Sequence, residues 1–194
     1  MSMVSRVINI ATKPKEEWPI IATESSSVSS IMSGFVVPLA AIGPICSFIQ
    51  SLVFTSAIGF HPSIGLSFAG MIVHYVIVLV GVIVTAFIVD KLAPTFQSSG
   101  GMVQALKLVA YSQAPVWVAG VLNLIPFLGI LVIFVGLYCL YIVYLGFTPV
   151  MKTPPDKVIP YLVVVIIVSI VFWVVASVVT AAILMTGAIV QTTI

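Results

Sequence analysis

The chain has 194 residues, of which 61% are hydrophobic and only 6% are charged, and its mean hydropathy is +1.32. A water-soluble domain of this length could not bury so much apolar surface, so the composition predicts an integral membrane protein. The formal net charge of +2 rests on too few Lys and Arg side chains to form a basic patch, which argues against nucleic acid as a partner.

The first segment, residues 1–30, is predicted to be a cytoplasmic juxtamembrane segment with amphipathic character. Its apolar side chains from Val4 to Ala11 fall at helical spacing, and Trp18 stands beside charged residues. This pattern suits a segment that lies in the membrane interface. The simpler interpretation is an anchor with Trp18 at the level of the lipid headgroups, and the alternative is a dedicated element for docking a partner.

The remainder, residues 31–194, is predicted to form one five-helix transmembrane domain. A spanning helix needs roughly 20 mostly apolar residues to cross about 30 Å of hydrocarbon, and the sequence contains five such stretches. The predicted fold class is therefore an all-α integral membrane protein. The expected spans are 31–53, 64–89, 106–123, 127–147 and 161–186.

The distribution of positive charge predicts how these helices are oriented. All seven Lys and Arg side chains precede the first span, bracket the second-to-third connection or lie between the fourth and fifth spans. The opposite side would hold the turn at 54–62, the turn at 123–127 and the C-terminal tail, which contain no Lys or Arg. The positive-inside rule then places the N-terminus in the cytoplasm and the C-terminus outside. The seven cations are Arg6, Lys13, Lys15, Lys91, Lys107, Lys152 and Lys157.

Small side chains on one face of several spans predict where helices pack. Inside a bilayer, packing depends on close backbone approach and on polar side chains that find partners on a neighbouring helix. Stripes of small residues occur on spans two, four and five. The candidate helix-packing residues are Gly70, Gly81, Gly129, Gly136, Ser169 and Ser177.

His74 is the one ionisable side chain well inside a span, and such residues are functional candidates because they are costly in hydrocarbon. Asp90 on the same helix is roughly 24 Å away, too far for an acid–base pair. His74 is thus either a neutral, hydrogen-bonded packing residue or a group that handles protons or ions. Cys46 and Cys139 lack metal-ligand spacing and are expected to be lipid-facing or core thiols. No metal or cofactor is predicted.

The third span carries Gln113 and Pro115 near the middle of "LKLVAYSQAPVWVAGVLNLIP". Pro115 has no amide hydrogen, so the carbonyl of Tyr111 loses its helical donor and a kink is predicted there. Neighbouring polar side chains or an adjacent helix could satisfy that carbonyl. Pro38 and Pro44 are expected to bend the first span in the same way.

Several motifs are similar to those of the Yip1 domain family, and specifically of its short bacterial members. "AYSQAP" keeps the Tyr and Pro of the family's GYxxxP signature at Tyr111 and Pro115, with Ala110 in place of Gly. Trp18 in "KPKEEW" matches the bacterial N-terminal pattern, and the resemblance covers nearly the whole chain. Further positions that resemble the family are Gly120, Pro126, Gly129, Tyr138, Tyr141, Gly146 and the "MKTPPDK" loop.

The resemblance implies a five-helix membrane protein with a cytoplasmic N-terminus. The eukaryotic relatives are Golgi and endoplasmic reticulum proteins that bind Rab GTPases in vesicle trafficking. This chain lacks their long N-terminal region and the DLYGP motif, so Rab GTPase binding is not carried over. The expected location is instead the bacterial inner membrane, where the chain would be a multi-pass protein.

Two functional hypotheses follow. In the first, the protein is a noncatalytic membrane protein that acts in organisation of the lipid bilayer or in trafficking-like processes, through helix contacts with copies of itself or other membrane proteins. In the second, it is a small transporter or channel. Its pathway would follow the third helix, kinked at Pro115, and would be lined by His74, Tyr111, Gln113 and Asn123. No nucleophile has a base within predicted reach, so no catalytic residue and no enzyme activity are expected.

Overall fold

The chain is a bundle of membrane-spanning helices, as the sequence predicts. Five helical stretches are long and apolar enough to cross a membrane, and every regular element in the described residues is helical. The predicted outer turn falls partly at 58–62, outside the described residues. The computed structural model describes residues 2–57 and 63–192, without the side chains of 55–57, 126, 179–180 and 182–192. The spans are Val28–Phe54, Ile64–Phe96, Gly101–Leu124, Gly129–Met151 and Pro155–Val178.

Two short helices, α1 (Met3–Thr12) and α2 (Pro14–Thr23), precede the first span. The Ser2 side chain caps α1 by accepting a hydrogen bond of 3.2 Å from a backbone amide in the first turn. Lys13 lies between the two helices, and α2 then starts on a proline, which has no amide hydrogen to leave unpaired. The resulting corner folds α2 back against α1.

The first span is a series of short helical pieces. A capping box formed by Ser27 and Ser30 starts α3, a π-helical turn follows at Met32–Val36, and the chain turns at Ala41. This turn lies between Pro38 and Pro44, where bends were predicted, because proline cannot donate the backbone hydrogen bond that continues a helix. The pieces are α3 (Val28–Ile31), α4 (Val37–Ala40) and α5 (Ile42–Ala57).

Four long helices complete the bundle, and the third span is its centre. In the most apolar stretch of the third span, 67% of the residues are buried inside the protein. The corresponding share is 22% in the fourth span and 17% in the fifth. Fully buried alanines at 105, 110 and 114 let the neighbouring helices approach this helix closely. The helices are α6 (Ile64–Leu92), α7 (Gly101–Ala119), α8 (Gly129–Met151) and α9 (Pro155–Thr192).

The α6–α7 and α8–α9 connections meet at the end of the bundle that carries α1 and α2, here called the N-terminal end. The Ser99 amide donates a hydrogen bond of 2.8 Å to the Met151 carbonyl, which joins the two connections. Tyr161 of α9 stacks on Phe96 with 4.5 Å between ring centroids, and its hydroxyl donates to the Val89 carbonyl of α6. These contacts fix α9 against α6 at this end.

At the opposite end, the backbones of α5 and of the 3-10 turn Gly120–Leu124 approach closely. A Cβ atom on Gly120 would lie 2.8 Å from the Gly43 Cα atom. Because that neighbour is backbone, it cannot rotate away. Glycine is therefore required at position 120 for this contact.

Gly120→Ala is expected to lower the free energy of unfolding by about 1–3 kcal/mol, since it forces the two backbones apart. Gly43→Ala is the matched control, because a Cβ atom on Gly43 would meet nothing within 4 Å. This control should leave stability unchanged or slightly raised, because alanine favours helix over glycine. Thermal unfolding in detergent measures both variants, and equal losses in the two would contradict the prediction.

Candidate functional site

Arg6 on α1 is buried and contacts two carboxylates, Glu17 on α2 and Glu24 just after α2. The Asn9 amide donates a hydrogen bond of 3.1 Å to the second oxygen of Glu17. The guanidinium also lies over the ring of Tyr111 on α7, 5.7 Å from the ring centroid. Arg6 thereby joins α1, α2 and α7, and it has the paired environment that a buried charge requires.

Lys107 on α7 holds the C-terminal end of α2. Its side chain is 1% exposed, and its Nζ donates to the carbonyls of Ile21, at 2.9 Å, and Glu24. The Gln104 amide, one turn earlier, donates to the Ala22 carbonyl at 3.3 Å. The last carbonyls of a helix have no partners within it, and basic side chains bind them well. The four charged residues Arg6, Glu17, Glu24 and Lys107 are called the charged cluster below.

Trp18 is fully buried against α7 and α8, which corrects the expectation of an anchor at the headgroups. Its indole Nε1 donates a hydrogen bond of 2.9 Å to the carbonyl of Ile142. Gly146 makes room for the ring, since a Cβ atom there would lie 2.7 Å from the indole Cε2 and 2.5 Å from a methyl of Leu108. Trp18 and Ile21 of α2 and Ile10 of α1 are thus buried within the protein, whereas Val4 and Ile8 on the apolar face of α1 are more than half exposed.

The charged cluster has the chemistry of a structural contact that holds helices together. Its two cations and two carboxylates sum to zero charge, and the cations are held by carboxylate or carbonyl oxygens. No group of three metal-binding side chains occurs among the residues that the structure describes. The cluster shows no nucleophile paired with a base, which acyl or phosphoryl transfer would need.

A second feature is a cleft of about 400 Å³ bounded by α6, α7, α8 and α9, called the apolar cleft below. Most of its wall consists of aliphatic side chains. Its polar side chains are Thr85 on α6, Ser112 and Gln113 on α7, and Ser169 and Trp173 on α9. Its lining residues are Thr85, Val89, Leu108, Val109, Ser112, Gln113, Val116, Gly136, Cys139, Leu140, Val143, Phe147, Leu162, Val165, Ile166, Ser169, Ile170 and Trp173.

The structure places the predicted pathway residues in four different surroundings. His74 faces a groove between α5 and α6, and Tyr111 faces a polar groove beside the charged cluster. Gln113 lines the apolar cleft, whereas Asn123 lies in the 3-10 turn after α7. Pro115 is buried, and α7 continues through it to Ala119. These residues do not share one cavity, and their roles and the kink at Pro115 stay predictions.

The predicted helix-packing residues also have different surroundings. Gly81 lies against α9, where a Cβ atom would be 3.0 Å from the Phe172 ring, so its small size permits this helix contact. Gly136 has open space at its Cβ position. Of the others, Gly70 lines the groove beside α5, Gly129 adjoins Asn123, Ser169 lines the apolar cleft, and the exposed Ser177 donates a hydrogen bond to Val174.

Sequence reasoning did not identify the charged cluster. The sequence predicts Lys107 at the first turn of the third span, next to the connection, whereas the structure places it two turns into α7. A signal did exist, because Gln104 and Lys107 are three residues apart and therefore share a face of an otherwise apolar helix. Such a pair in an apolar segment indicates a buried polar partner, although not which one.

Comparison with known proteins adds one finding. A model of the Yip1 domain matches residues 8–176, which is nearly the whole chain. The matched region contains Glu17, Glu24 and Lys107 of the charged cluster and every residue that lines the apolar cleft. Searches of curated proteins and of solved structures found no match.

Proposed function

Because this chain belongs to the Yip1 domain family, we propose that it is a noncatalytic membrane organiser that acts through contacts of its membrane helices. The partners would be further copies of the chain or other integral membrane proteins. The observation that carries the proposal is the outer surface of α8 and α9, which the chain itself leaves largely uncovered. The charged cluster, by contrast, holds the N-terminal helices on the bundle.

The uncovered surface is apolar and available for contact with another helix. Side chains such as Ile133 and Leu137 on α8 and Val174 on α9 are more than half exposed. In a bilayer these side chains meet either lipid tails or the helices of another protein, and van der Waals packing decides between them. The tyrosine pair at 138 and 141 adds aromatic area toward the N-terminal end.

The transport alternative has weaker support from the geometry. A hydrophilic pathway needs polar groups that follow one another across the membrane, as in other transporters. Of the four residues predicted to line it, only Gln113 reaches the apolar cleft. The organiser hypothesis requires no continuous pathway, so we favour it.

The proposed location is the bacterial inner membrane, with the N-terminus in the cytoplasm. Helix order supports this orientation, since the connections that follow α6 and α8 and the helices α1 and α2 share one end of the bundle. That end carries the Lys and Arg side chains, and cytoplasmic loops are the ones enriched in these residues. The resemblance to short bacterial members supports the choice of membrane.

Disulfide crosslinking in native membranes tests the proposal. Cys46 and Cys139, both free and buried, are first replaced by alanine. Single cysteines are then placed at Ile133, Leu137 and Val174. At least one should give an oxidation-dependent adduct with a second copy, or a reproducible adduct of larger mass with another membrane protein.

A cysteine at Ile142 is the matched control, since this residue is fully buried inside the bundle and should give no adduct. Titrating protein against lipid in vesicles separates specific contact from crowding, because a specific adduct persists on dilution. A chain that stays monomeric at all three outer positions, in native membranes and in vesicles, would contradict the proposal.

A further inference from the structure

We propose that the apolar cleft binds an uncharged, mainly hydrocarbon molecule that carries one hydrogen-bonding oxygen, such as a hydroxyl or ester group. This is a binding site for a neutral lipid. It is independent of whether the chain associates with other proteins. The proposal depends on where the cleft opens, which polar groups it contains, which charges it lacks and how large it is.

The cleft opens into the hydrocarbon of the bilayer. Its lining residues lie inside four of the spans. Among them, Leu140 on α8 and Ile170 and Trp173 on α9 are between 38% and 57% exposed, so the opening lies between these two helices. A molecule dissolved in the membrane can enter there without crossing water.

Two polar groups that line the cleft lack hydrogen-bond partners, whereas the Ser112 hydroxyl donates a hydrogen bond of 3.0 Å to the Val109 carbonyl. No hydrogen bond to the Gln113 amide or the Trp173 indole joins it to any other residue that the structure describes. The hydroxyls of Thr85 and Ser169 can turn toward carbonyls of their own helices, but a Gln amide and a Trp indole seldom satisfy themselves in this way. In hydrocarbon, such groups cost several kcal/mol each unless a partner is supplied. A ligand oxygen would supply it.

The ligand must be uncharged. No Asp, Glu, Lys, Arg or His occurs among the residues that line the cleft. The buried charges of the charged cluster already have partners, since they bind one another or backbone carbonyls. A phosphate or an ammonium group inside the cleft would therefore be desolvated without compensation. The cost of desolvation therefore excludes a phospholipid headgroup from the cleft, whereas a neutral lipid does not incur it.

The size of the cleft agrees with a small ligand. Its volume of about 400 Å³ falls within the range of about 300–1,000 Å³ for ligand pockets that are mainly apolar with a few polar groups. A spanning helix of a second copy is too large, because one turn of an α-helix with side chains already occupies about 400 Å³. A single hydrocarbon chain with its polar group is the better fit.

The test uses two photoactivatable probes with the purified full chain in phosphatidylcholine vesicles. One probe is a long-chain alcohol that carries a diazirine, and the other is the corresponding hydrocarbon without the hydroxyl. The alcohol is expected to label the peptides that line the cleft about fivefold more than the hydrocarbon does, as one buried hydrogen bond in a membrane protein would give.

Two variants and one matched control separate labelling inside the cleft from general labelling of the protein. Gly136→Leu fills the cleft from α8, where a Cβ atom meets nothing within 4 Å, and should reduce labelling by both probes at least fivefold. Gly34→Leu is its matched control, because Gly34 has the same open space but does not line the cleft. Gln113→Leu keeps the side-chain volume and should abolish the preference for the alcohol.

Thermal unfolding in detergent verifies that each variant is folded. Equal labelling by the two probes in the wild-type chain would overturn the proposal, because the cleft would then hold only hydrocarbon. Labelling that persists in folded Gly136→Leu would overturn it as well, since the ligand would lie elsewhere. Neither result depends on the disulfide adducts that test the proposed function.

Discussion

Arg6→Ala is expected to lower the free energy of unfolding by about 3–5 kcal/mol, because it leaves a buried carboxylate without its cation. The carboxylate is Glu17, whose side chain is 3% exposed, so water cannot replace the guanidinium. Glu24 is more exposed and can turn outward. Titration of the purified chain with sodium dodecyl sulfate in mixed micelles, followed by circular dichroism, gives the change.

Lys13→Ala provides the matched control. Lys13 also pairs with a carboxylate, Glu16 at 3.9 Å, but both side chains are mostly exposed. A surface pair of this kind contributes little to stability, so no measurable change is expected. The double variant Arg6→Met/Glu17→Met should be less destabilised than Arg6→Ala, since it leaves no unpaired charge. A loss for Arg6→Ala no larger than that for Lys13→Ala would show that the ion pair is dispensable.

The membrane spans could be predicted from the sequence because each depends on a local property. A run of apolar residues long enough to cross hydrocarbon must be helical, as the backbone has no other way to satisfy its polar groups there. The helix ends were less predictable. The apolar run of the fifth span starts at residue 161, whereas α9 begins at Pro155, because a helix can extend into water through a polar first turn.

The position of the N-terminal helices could not be predicted for the opposite reason. The Trp18 indole and its acceptor carbonyl at Ile142 are 124 residues apart, and Lys107 is 86 residues from the Ile21 carbonyl. An amphipathic helix fits a groove between two helices as well as it fits the lipid interface. Only the order of the helices in space decides between these environments, and one sequence does not fix that order.

The apolar cleft could not be predicted from the sequence, for a related reason. Gln113 and Ser169 were both noticed, one as a polar residue in a span and the other as part of a small-residue stripe. Their convergence depends on how α9 packs against α6 and α8, which it contacts at the N-terminal end through Tyr161. Local sequence patterns can thus identify single candidate residues, whereas a cavity depends on how the whole bundle packs.

Trp18→Ala should lower the free energy of unfolding by about 3–5 kcal/mol, as large-to-small substitutions of buried aromatic residues do. The substitution leaves a cavity between α2, α7 and α8 and removes the hydrogen bond to the Ile142 carbonyl. The same detergent titration measures this loss. Trp18→Phe retains most of the ring volume without the indole donor, and the difference between the two variants separates packing from hydrogen bonding.

Gly146 tests whether Trp18 and α8 fit together as closely as the structure shows. Gly146→Ala alone should cost about 1–3 kcal/mol, because the new methyl group overlaps the indole and the Leu108 side chain. In the Trp18→Ala background the same methyl group enters vacated space, and Leu108 can move aside. The double variant should therefore lose less stability than the sum of the two single losses, which is the signature of two residues in direct contact. Strict additivity would mean that Trp18 does not occupy this site, and the N-terminal helices would then have to be placed elsewhere, with the membrane interface again the first alternative.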